Sequence, residues 1–293
     1  MAYTVFYGNT TKYVDITPIV KEYFVHDSHI QIPANDDVRS FIFGDPLFGV
    51  LKHIVVQDAT RTIYFANANV YHKVEGLDSV EKIPYYKLDQ IQSGLKFVGG
   101  SIMDEYPEQT MAVSFIKPDN KVLEIGGNIG RNSCIIASLL KDSNNLVTLE
   151  CDGKSAAILN QNRNLNNFKF HIEPSALSKR FLIQRGWMTI PSDVVLEGYT
   201  KVNTISWSDL CEKYKIEFDT LVLDCEGAFY WILKDEPSIL KNIKTIIVEN
   251  DYRDLSHKQY VDQALAKEGF QPVFTRAGGF GPCYDVFFQV WTR

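Results

Sequence analysis

From Lys121 onward the chain alternates short apolar runs with longer amphipathic ones. Val122–Ile125, Leu146–Leu149, Phe168–Ile172, Thr220–Leu223 and Thr245–Val248 are short and several are nearly all apolar, as expected of parallel strands covered on both faces. Between them, Gly130–Lys141 carries Ile135, Ile136, Leu139 and Leu140 on one side, and Gly153–Asn164 carries Ala156, Ile158 and Leu159. That spacing predicts helices. Further helices are predicted after Gly227 and over Ser256–Gly269, with Val261, Ala264 and Leu265 inward. Strands alternating with helices predict an α/β fold with a parallel sheet. The end breaks the alternation. Val273–Thr275 and Val286–Trp291 are joined by a loop that holds Gly278-Gly279-Phe280-Gly281-Pro282 and no helix fits between them, so they are predicted to form an antiparallel hairpin.

Residues before Lys82 have another character. Tyr3–Tyr7, Tyr13–Thr17, His29–Ile32, His53–Gln57 and Thr62–Phe65 are short β-branched and aromatic runs. Turn signals at Gly8-Asn9, Pro33 to Asp37, Gly44-Asp45-Pro46 and Asp58 to Thr60 separate them. This predicts a small β-rich domain over 1–84, with one helix near Pro18–Phe24, and a second domain over 85–293. Helices are expected around Tyr86–Leu95 and Glu108–Ile116, with Gly99-Gly100 between them as a hinge.

Composition narrows the class. The 293 residues are 45% hydrophobic and 23% charged, the balance of a globular protein and not of a disordered or coiled-coil chain. The net charge is −6 and no basic run appears, which argues against a nucleic-acid partner. Five cysteines without a CxxC spacing read as reduced thiols in a reducing compartment, so a cytoplasmic location is expected. No HExxH or Cys/His cluster suggests zinc. No signal peptide and no apolar stretch of membrane-spanning length is seen. Oligomeric state is not indicated.

The chemistry gathers at predicted strand ends, where open α/β sheets bind ligands. Val122–Ile125 runs into Gly126-Gly127-Asn128-Ile129-Gly130 and a helix. Glycines permit close backbone approach, and the helix start offers free N–H groups. The spacing is E-x-G-x-x-x-G, not the G-x-G-x-x-G of dinucleotide folds. Glu124 in the strand is expected to face a cationic cofactor end, such as the amino group of S-adenosylmethionine. The second strand ends in Glu150, placed to take both ribose hydroxyls of a nucleoside. The third ends in Glu173-Pro174-Ser175-Ala176, where Ser175 and Ala176 suit an adenine.

The fourth strand ends in Asp224-Cys225-Glu226-Gly227 and the fifth in Glu249-Asn250-Asp251. Four carboxylates at adjacent strand ends suit a general base, an acceptor-orienting role or a divalent ion. Helix capping is the competing explanation for Asp224 or Glu226.

In order, VLEIGGNIGRNS, VTLECDGKSAAILNQNRNLNN, SALS, VNTISWSDL, DTLVLDCEGAFYWIL and IIVEN resemble the FkbM-like S-adenosylmethionine-dependent methyltransferases. The match runs from about Tyr106 to Asp251; the D-x-E-G element and the asparagines Asn162 and Asn166 are its more specific parts. The resemblance implies the class I methyltransferase sheet, Rossmann-like, with seven strands and an antiparallel last strand. It implies O-methylation of a sugar or polyketide-like hydroxyl, and hence a sugar or glycan acceptor. It places Glu124, Gly126, Asn128, Gly130 and Glu150 on the cofactor, and Asp224 and Glu226 beside the acceptor. Cys151 stands where the family commonly has proline, and Gly127 where alanine is common. The N-terminal region matches no family.

Under this reading Asp224 is the first choice for base or acceptor-orienting residue, Glu226 the second, and Glu249 completes the cluster. If Mg²⁺ takes part, Asp224, Glu226, Glu249 and Asp251 are its expected ligands. Trp187, Tyr230, Trp231, Phe280 and Tyr284 would suit a sugar-stacking wall, although core packing explains each one singly. The polar stretch Asn35-Asp36-Asp37, Arg39 and Phe43-Gly44-Asp45-Pro46 would hold the acceptor or a dimer contact, or simply make turns. Alternatives are a protein or small-molecule methyltransferase, a catalytically inactive binding module on the same fold and, least favoured, an NAD-dependent oxidoreductase.

Overall fold

The computed structural model describes residues 3–26, 29–58, 62–65, 70–73, 84–186, 188–279 and 281–293. It divides into two units, Met1–Gly94 and Leu95–Arg293. The boundary expected at 84/85 therefore moves, because the helix Pro84–Gly94 belongs to the first unit.

The small unit contains β1 (Thr4–Asn9), β2 (Lys12–Asp15), α1 (Thr17–Tyr23), β3 (Val25–His26), β4 (His29–Ile32), α2 (Asp36–Phe43), β5 (His53–Gln57), β6 (Thr62–Phe65), β7 (Val70–Lys73) and α3 (Pro84–Gly94). Its sheets run β2-β1-β5-β6 and β3-β4-β7, all antiparallel. The β-rich character matches the sequence pattern, but α2 occupies a stretch read as turns. Asn35 Oδ1 accepts the N–H of Asp37 at 2.8 Å and of Val38 at 3.2 Å, so the turn-forming residue is a helix cap. The other polar residues are engaged inside the unit. Arg39 is fully buried and donates to Pro33 O at 2.6 Å. Asp36 accepts the Tyr7 hydroxyl at 2.6 Å, and Lys52 pairs with Asp36 and Asp45 at 3.3 and 3.0 Å. The end of the turn predicted at Asp58 to Thr60 lies outside the described residues.

The large unit contains α4 (Tyr106–Phe115), β8 (Val122–Ile125), α5 (Arg131–Leu139), β9 (Leu146–Leu149), α6 (Gly153–Leu165), β10 (His171–Glu173), β11 (Ala176–Leu177), β12 (Leu182–Arg185), β13 (Met188–Pro191), β14 (Thr200–Val202), β15 (Thr204–Ile205), α7 (Trp207–Tyr214), β16 (Thr220–Leu223), α8 (Phe229–Asp235), β17 (Thr245–Glu249), α9 (Leu255–Lys267), β18 (Gln271–Arg276) and β19 (Phe288–Thr292). The main sheet has seven strands in the order β10-β9-β8-β16-β17-β19-β18. The pairs among β10, β9, β8, β16 and β17 are parallel, and β19 is antiparallel to β17 and β18. This is the Rossmann-like α/β sheet with a reversed last strand that the alternation predicts. The order turns back between β8 and β16, a topological switch point. Leu123, Val147, Leu221 and Ile246 from four of the parallel strands pack with Leu210, Ile232 and Leu265 of the helices.

Three features differ from expectation. The third strand starts at His171, not Phe168. Between it and α7 the chain inserts a three-stranded antiparallel sheet, β13-β12-β14, and a parallel pair, β11-β15. Gly99-Gly100, expected between two helices as a hinge, lies beyond the unit boundary, within the large unit, just after Lys96 and Val98, which are tied to the side chains of Asn166 and Asn162. Among the described residues no helix is long and apolar enough to cross a membrane.

Candidate functional site

Gly126 carries the chain out of β8 with φ +97°, and a Cβ there would lie 1.6 Å from Asp224 O. Only glycine lets the ends of β8 and β16 approach so closely. Asn128 and Glu226 are non-glycine residues with positive φ, 45° and 52°, and both line the cavity at the sheet's switch point. Such backbone strain persists where surrounding contacts impose it.

Glu150 follows β9 and is held from two sides. Oε2 accepts the Asn128 N–H at 2.7 Å and Oε1 accepts the Asp152 N–H at 2.7 Å. Each carboxylate oxygen retains a further acceptor site. The group is therefore oriented without being used up. Ser175, after β10, is oriented in the same manner: its hydroxyl donates to Glu173 Oε1 at 2.9 Å, and Glu173 also accepts from Lys213 at 2.6 Å and Tyr214 at 2.9 Å.

These elements surround one cavity of about 530 Å³, within the usual range for small-molecule sites. Gly126 and Asn128, Glu150, Ser175 and Ala176, and Asp224 and Glu226 all line it. Most of the candidate residues thus converge. So do Cys151 and Cys225, the sequence neighbours of Glu150 and Asp224.

Glu124, Gly130, Glu249 and Asp251 do not line the cavity. Glu124 is buried and accepts the Ser133 hydroxyl. Its side of β8 faces the interior, while Ile125, on the opposite face, reaches the cavity. Gly130 is the N-cap of α5 and abuts Leu159. Glu249 shares a hydrogen bond with Glu108 of α4, and Asp251 shares one with Glu226. Among the described residues no three His, Cys, Asp or Glu side chains are placed to hold a metal ion. The Mg²⁺ site expected at Asp224, Glu226, Glu249 and Asp251 is not supported, since these acids do not form such a group. Helix capping does not explain the acids either, since Ala228 is the N-cap of α8 and no side chain caps it.

The acids share an electrostatic environment. Burial, with Glu249 and Glu105 close by, raises the Asp224 pKa well above the ordinary carboxylate value. Burial and the bond to Asp251 raise Glu226 to about 7. Glu105 and Glu108 were not among the sequence candidates. Glu105 accepts from Arg131 at 3.1 Å and from Asn128 Nδ2 at 3.4 Å. Burial raises Glu108 to about 8, and its Oε2 has no hydrogen-bond partner. The available signal was an acid within the largely buried run Tyr106–Val113.

Of the proposed aromatic wall, Trp231 lines the cavity. Its ring already carries the Arg180 guanidinium at 4.5 Å, and Arg180 is held by Asp235 at 2.5 and 2.7 Å. Tyr230 stacks on His257 at 3.7 Å. Tyr284 is exposed and does not line the cavity. Trp187 and Phe280 lie outside the described residues.

No family model matches the chain, and no curated protein matches it. Among solved structures, the chain is similar to an O-methyltransferase from Bacillus cereus in complex with SAH: 15% identity, 73% of this chain and 92% of that one, TM-score 0.40. It is similar to the ribosomal protein L11 methylase from Lactobacillus delbrueckii subsp. bulgaricus: 13% identity, 67% and 80% coverage, TM-score 0.40. It is also similar to precorrin 8W decarboxylase from Methanobacterium thermoautotrophicum: 14% identity, 69% and 94% coverage, TM-score 0.38.

Proposed function

We propose that this protein is an S-adenosylmethionine-dependent O-methyltransferase acting on a hydroxyl of a sugar or glycan. The observation that carries the cofactor assignment is Glu150. Its carboxylate is fixed by two backbone N–H groups and lines the same cavity as Asp224 and Glu226. A clamped acid between a glycine turn and a further acidic strand end suits a nucleoside that carries a positive charge. The sugar acceptor rests on the sequence resemblance to FkbM-like enzymes.

S-adenosylmethionine, when bound, supplies an electrophilic methyl group on a sulfonium. The chain's residues do the remainder. Glu150 accepts the ribose hydroxyls, and Ser175 and Ala176 border the base. Asp224, as carboxylate, would take the proton of the acceptor hydroxyl. Its raised proton affinity suits it to that step, since a base of ordinary carboxylate strength would hold the proton poorly. Glu226 orients the acceptor from the same strand end. Holding donor and acceptor in line supplies much of the rate.

The test is calorimetric titration of S-adenosylmethionine and S-adenosylhomocysteine into the wild type and Glu150→Ala. Micromolar binding that weakens about tenfold or more in the variant supports the assignment, tenfold being about 1.4 kcal/mol. Sugar acceptors are then screened for methyl incorporation. No binding of either ligand by the wild type sinks the cofactor assignment. Binding with no incorporation into any sugar sinks the acceptor assignment alone.

A further inference from the structure

The inserted three-stranded sheet has no counterpart in the strand–helix alternation, yet it forms a wall of the cavity. Leu182, Gln184, Thr189 and Pro191 line it, with Gly186 at the turn. The pairing register explains why these residues act together. Leu182 is directly opposite Pro191, and Gln184 opposite Thr189. Side chains alternate along a strand, so these two cross-strand pairs project from one face of the hairpin. That face is graded. Leu182 and Pro191 make one end apolar, and Gln184 and Thr189 make the other polar. The Thr189 side chain meets that of Cys151, the residue after Glu150. The polar end therefore lies beside the ribose-binding acid.

A flat ring with apolar faces and a hydrogen-bonding edge matches such a wall. Gln184 carries both halves of the required code: its amide oxygen accepts and its NH₂ donates. The same amide reads adenine in nucleic acids by pairing with N6 and N7. Among the described residues nothing hydrogen-bonds to the Gln184 side chain, so both halves are available. Among the described residues its one bond outside the sheet ladder is at the backbone, where its carbonyl accepts the Thr200 hydroxyl at 3.4 Å.

We propose that the β12–β13 hairpin is the base-selecting wall of the nucleoside site, with Leu182 and Pro191 against the ring face and the Gln184 amide reading the adenine edge. This rests on the cofactor reading above and adds to it the residues that set base specificity. The rejected analogue follows from the chemistry. Hypoxanthine replaces the exocyclic amino donor of adenine by a carbonyl acceptor, which the Gln184 oxygen would repel. Sites built around a hydrogen bond discriminate strongly against analogues that cannot make it.

The test titrates S-adenosylhomocysteine and S-inosylhomocysteine into the wild type, Gln184→Leu and Gln184→Glu, each checked for unchanged circular dichroism and melting temperature. Gln184 is partly exposed and lies on a short inserted strand, so both variants are expected to fold. The wild type should prefer the adenosyl ligand by about tenfold or more, roughly 1.4 kcal/mol. Gln184→Leu should lose most of that preference, by weakening the adenosyl ligand and by relieving the repulsion of the inosyl one. Gln184→Glu keeps the acceptor, loses the donor and should also bind the adenosyl ligand more weakly. Retention of the wild-type preference in both variants overturns the base-reading role and leaves the cofactor assignment standing. Failure of the wild type to bind the adenosyl ligand overturns both.

Discussion

The side chain of Asn162 exchanges two hydrogen bonds with the backbone of Val98: Oδ1 accepts the Val98 N–H at 2.9 Å and Nδ2 donates to Val98 O at 3.0 Å. Nδ2 also donates to Ile129 O at 2.8 Å, which fastens the glycine turn to α6. One turn later Asn166 repeats the pattern on Lys96, with both distances at 2.8 Å. Two amides four residues apart thus hold an extended segment as a neighbouring strand would. Asn162 is fully buried, so truncation leaves the backbone groups at Val98 and Ile129 without partners. Asn162→Ala should cost about 2–4 kcal/mol, since each stranded buried group carries a penalty of about 1–3 kcal/mol. Urea denaturation measures it. A loss below about 0.5 kcal/mol, the scale of a neutral surface change, would show that the clip is not a structural tie.

Gly127 stands where the FkbM-like pattern commonly has alanine, and the structure gives the reason. A Cβ at Gly127 would sit 2.3 Å from Thr148 Oγ1 and 3.3 Å from Leu159 Cδ2. Thr148 is fully buried on β9 and cannot swing into solvent. Gly127→Ala should therefore destabilise by about 1–3 kcal/mol, the usual cost of overpacking. Thr148→Ala removes the obstructing atom, so the double variant should be more stable than the sum of the single effects predicts. The two-by-two cycle reads this directly. Strict additivity would place the cost of Gly127→Ala elsewhere than in this contact.

The main sheet was legible because its parallel strands announce themselves. Leu146–Leu149 and Thr220–Leu223 are buried at every position, and no surface element of this chain looks like that. The inserted three-stranded sheet was not legible for the opposite reason. Its strands are Leu-Ile-Gln-Arg, Met-Thr-Ile-Pro and Thr-Lys-Val, too short and too mixed to show a period, and one ends in proline. The helix α2 hid behind its own cap, because asparagine and aspartate signal turns and helix starts alike. At the site, the strand-end reading named Glu150 and Asp224, and both line the one cavity. Glu124 shows the limit. A period of two says that it and Ile125 face opposite ways, but which face meets the ligand depends on the packing of α5, through Ser133.

Asp224 is assigned the proton, and Asp224→Asn separates that role from binding. The amide keeps the size of the carboxyl but cannot take a proton. Turnover should fall by about 10²–10⁴-fold, the range of general-base contributions, while affinity for S-adenosylhomocysteine stays within about threefold, or roughly 0.7 kcal/mol. The pH profile adds a second check. Burial and the neighbouring Glu249 and Glu105 raise the Asp224 pKa, and the base must be ionised to act. Activity in the wild type should therefore rise with pH along a limb that lies above the usual carboxylate range. Unchanged turnover in the variant, or an acidic limb near pH 4, would remove Asp224 from the proton step.

The burial of Glu108 and Glu249 makes stability depend on pH in an unusual direction. Burial, then the proximity of Glu108, raises Glu249 from an ordinary value of 4.5 to about 9, and burial raises Glu108 from the same value to about 8. Both acids hold their protons in the folded chain at pH values where the unfolded chain has released them. Between about pH 4.5 and 9 the folded state therefore binds more protons, and stability falls as pH rises. Their contribution is complete below pH 4.5 and is lost as pH climbs through the folded values of about 8 and 9. Glu108→Gln keeps an oxygen able to accept from the Glu249 carboxyl and removes one titrating acid. Its melting temperature should match or fall slightly below the wild type at pH 5.5 and exceed it at pH 8.5. A stability difference of 1 kcal/mol corresponds to about 2–4 °C in a chain of 150–250 residues and less in a longer one, so the crossing is measurable by calorimetry across that range. Parallel curves, with no crossing between pH 5.5 and 8.5, would mean that the pair does not carry its protons into the neutral range.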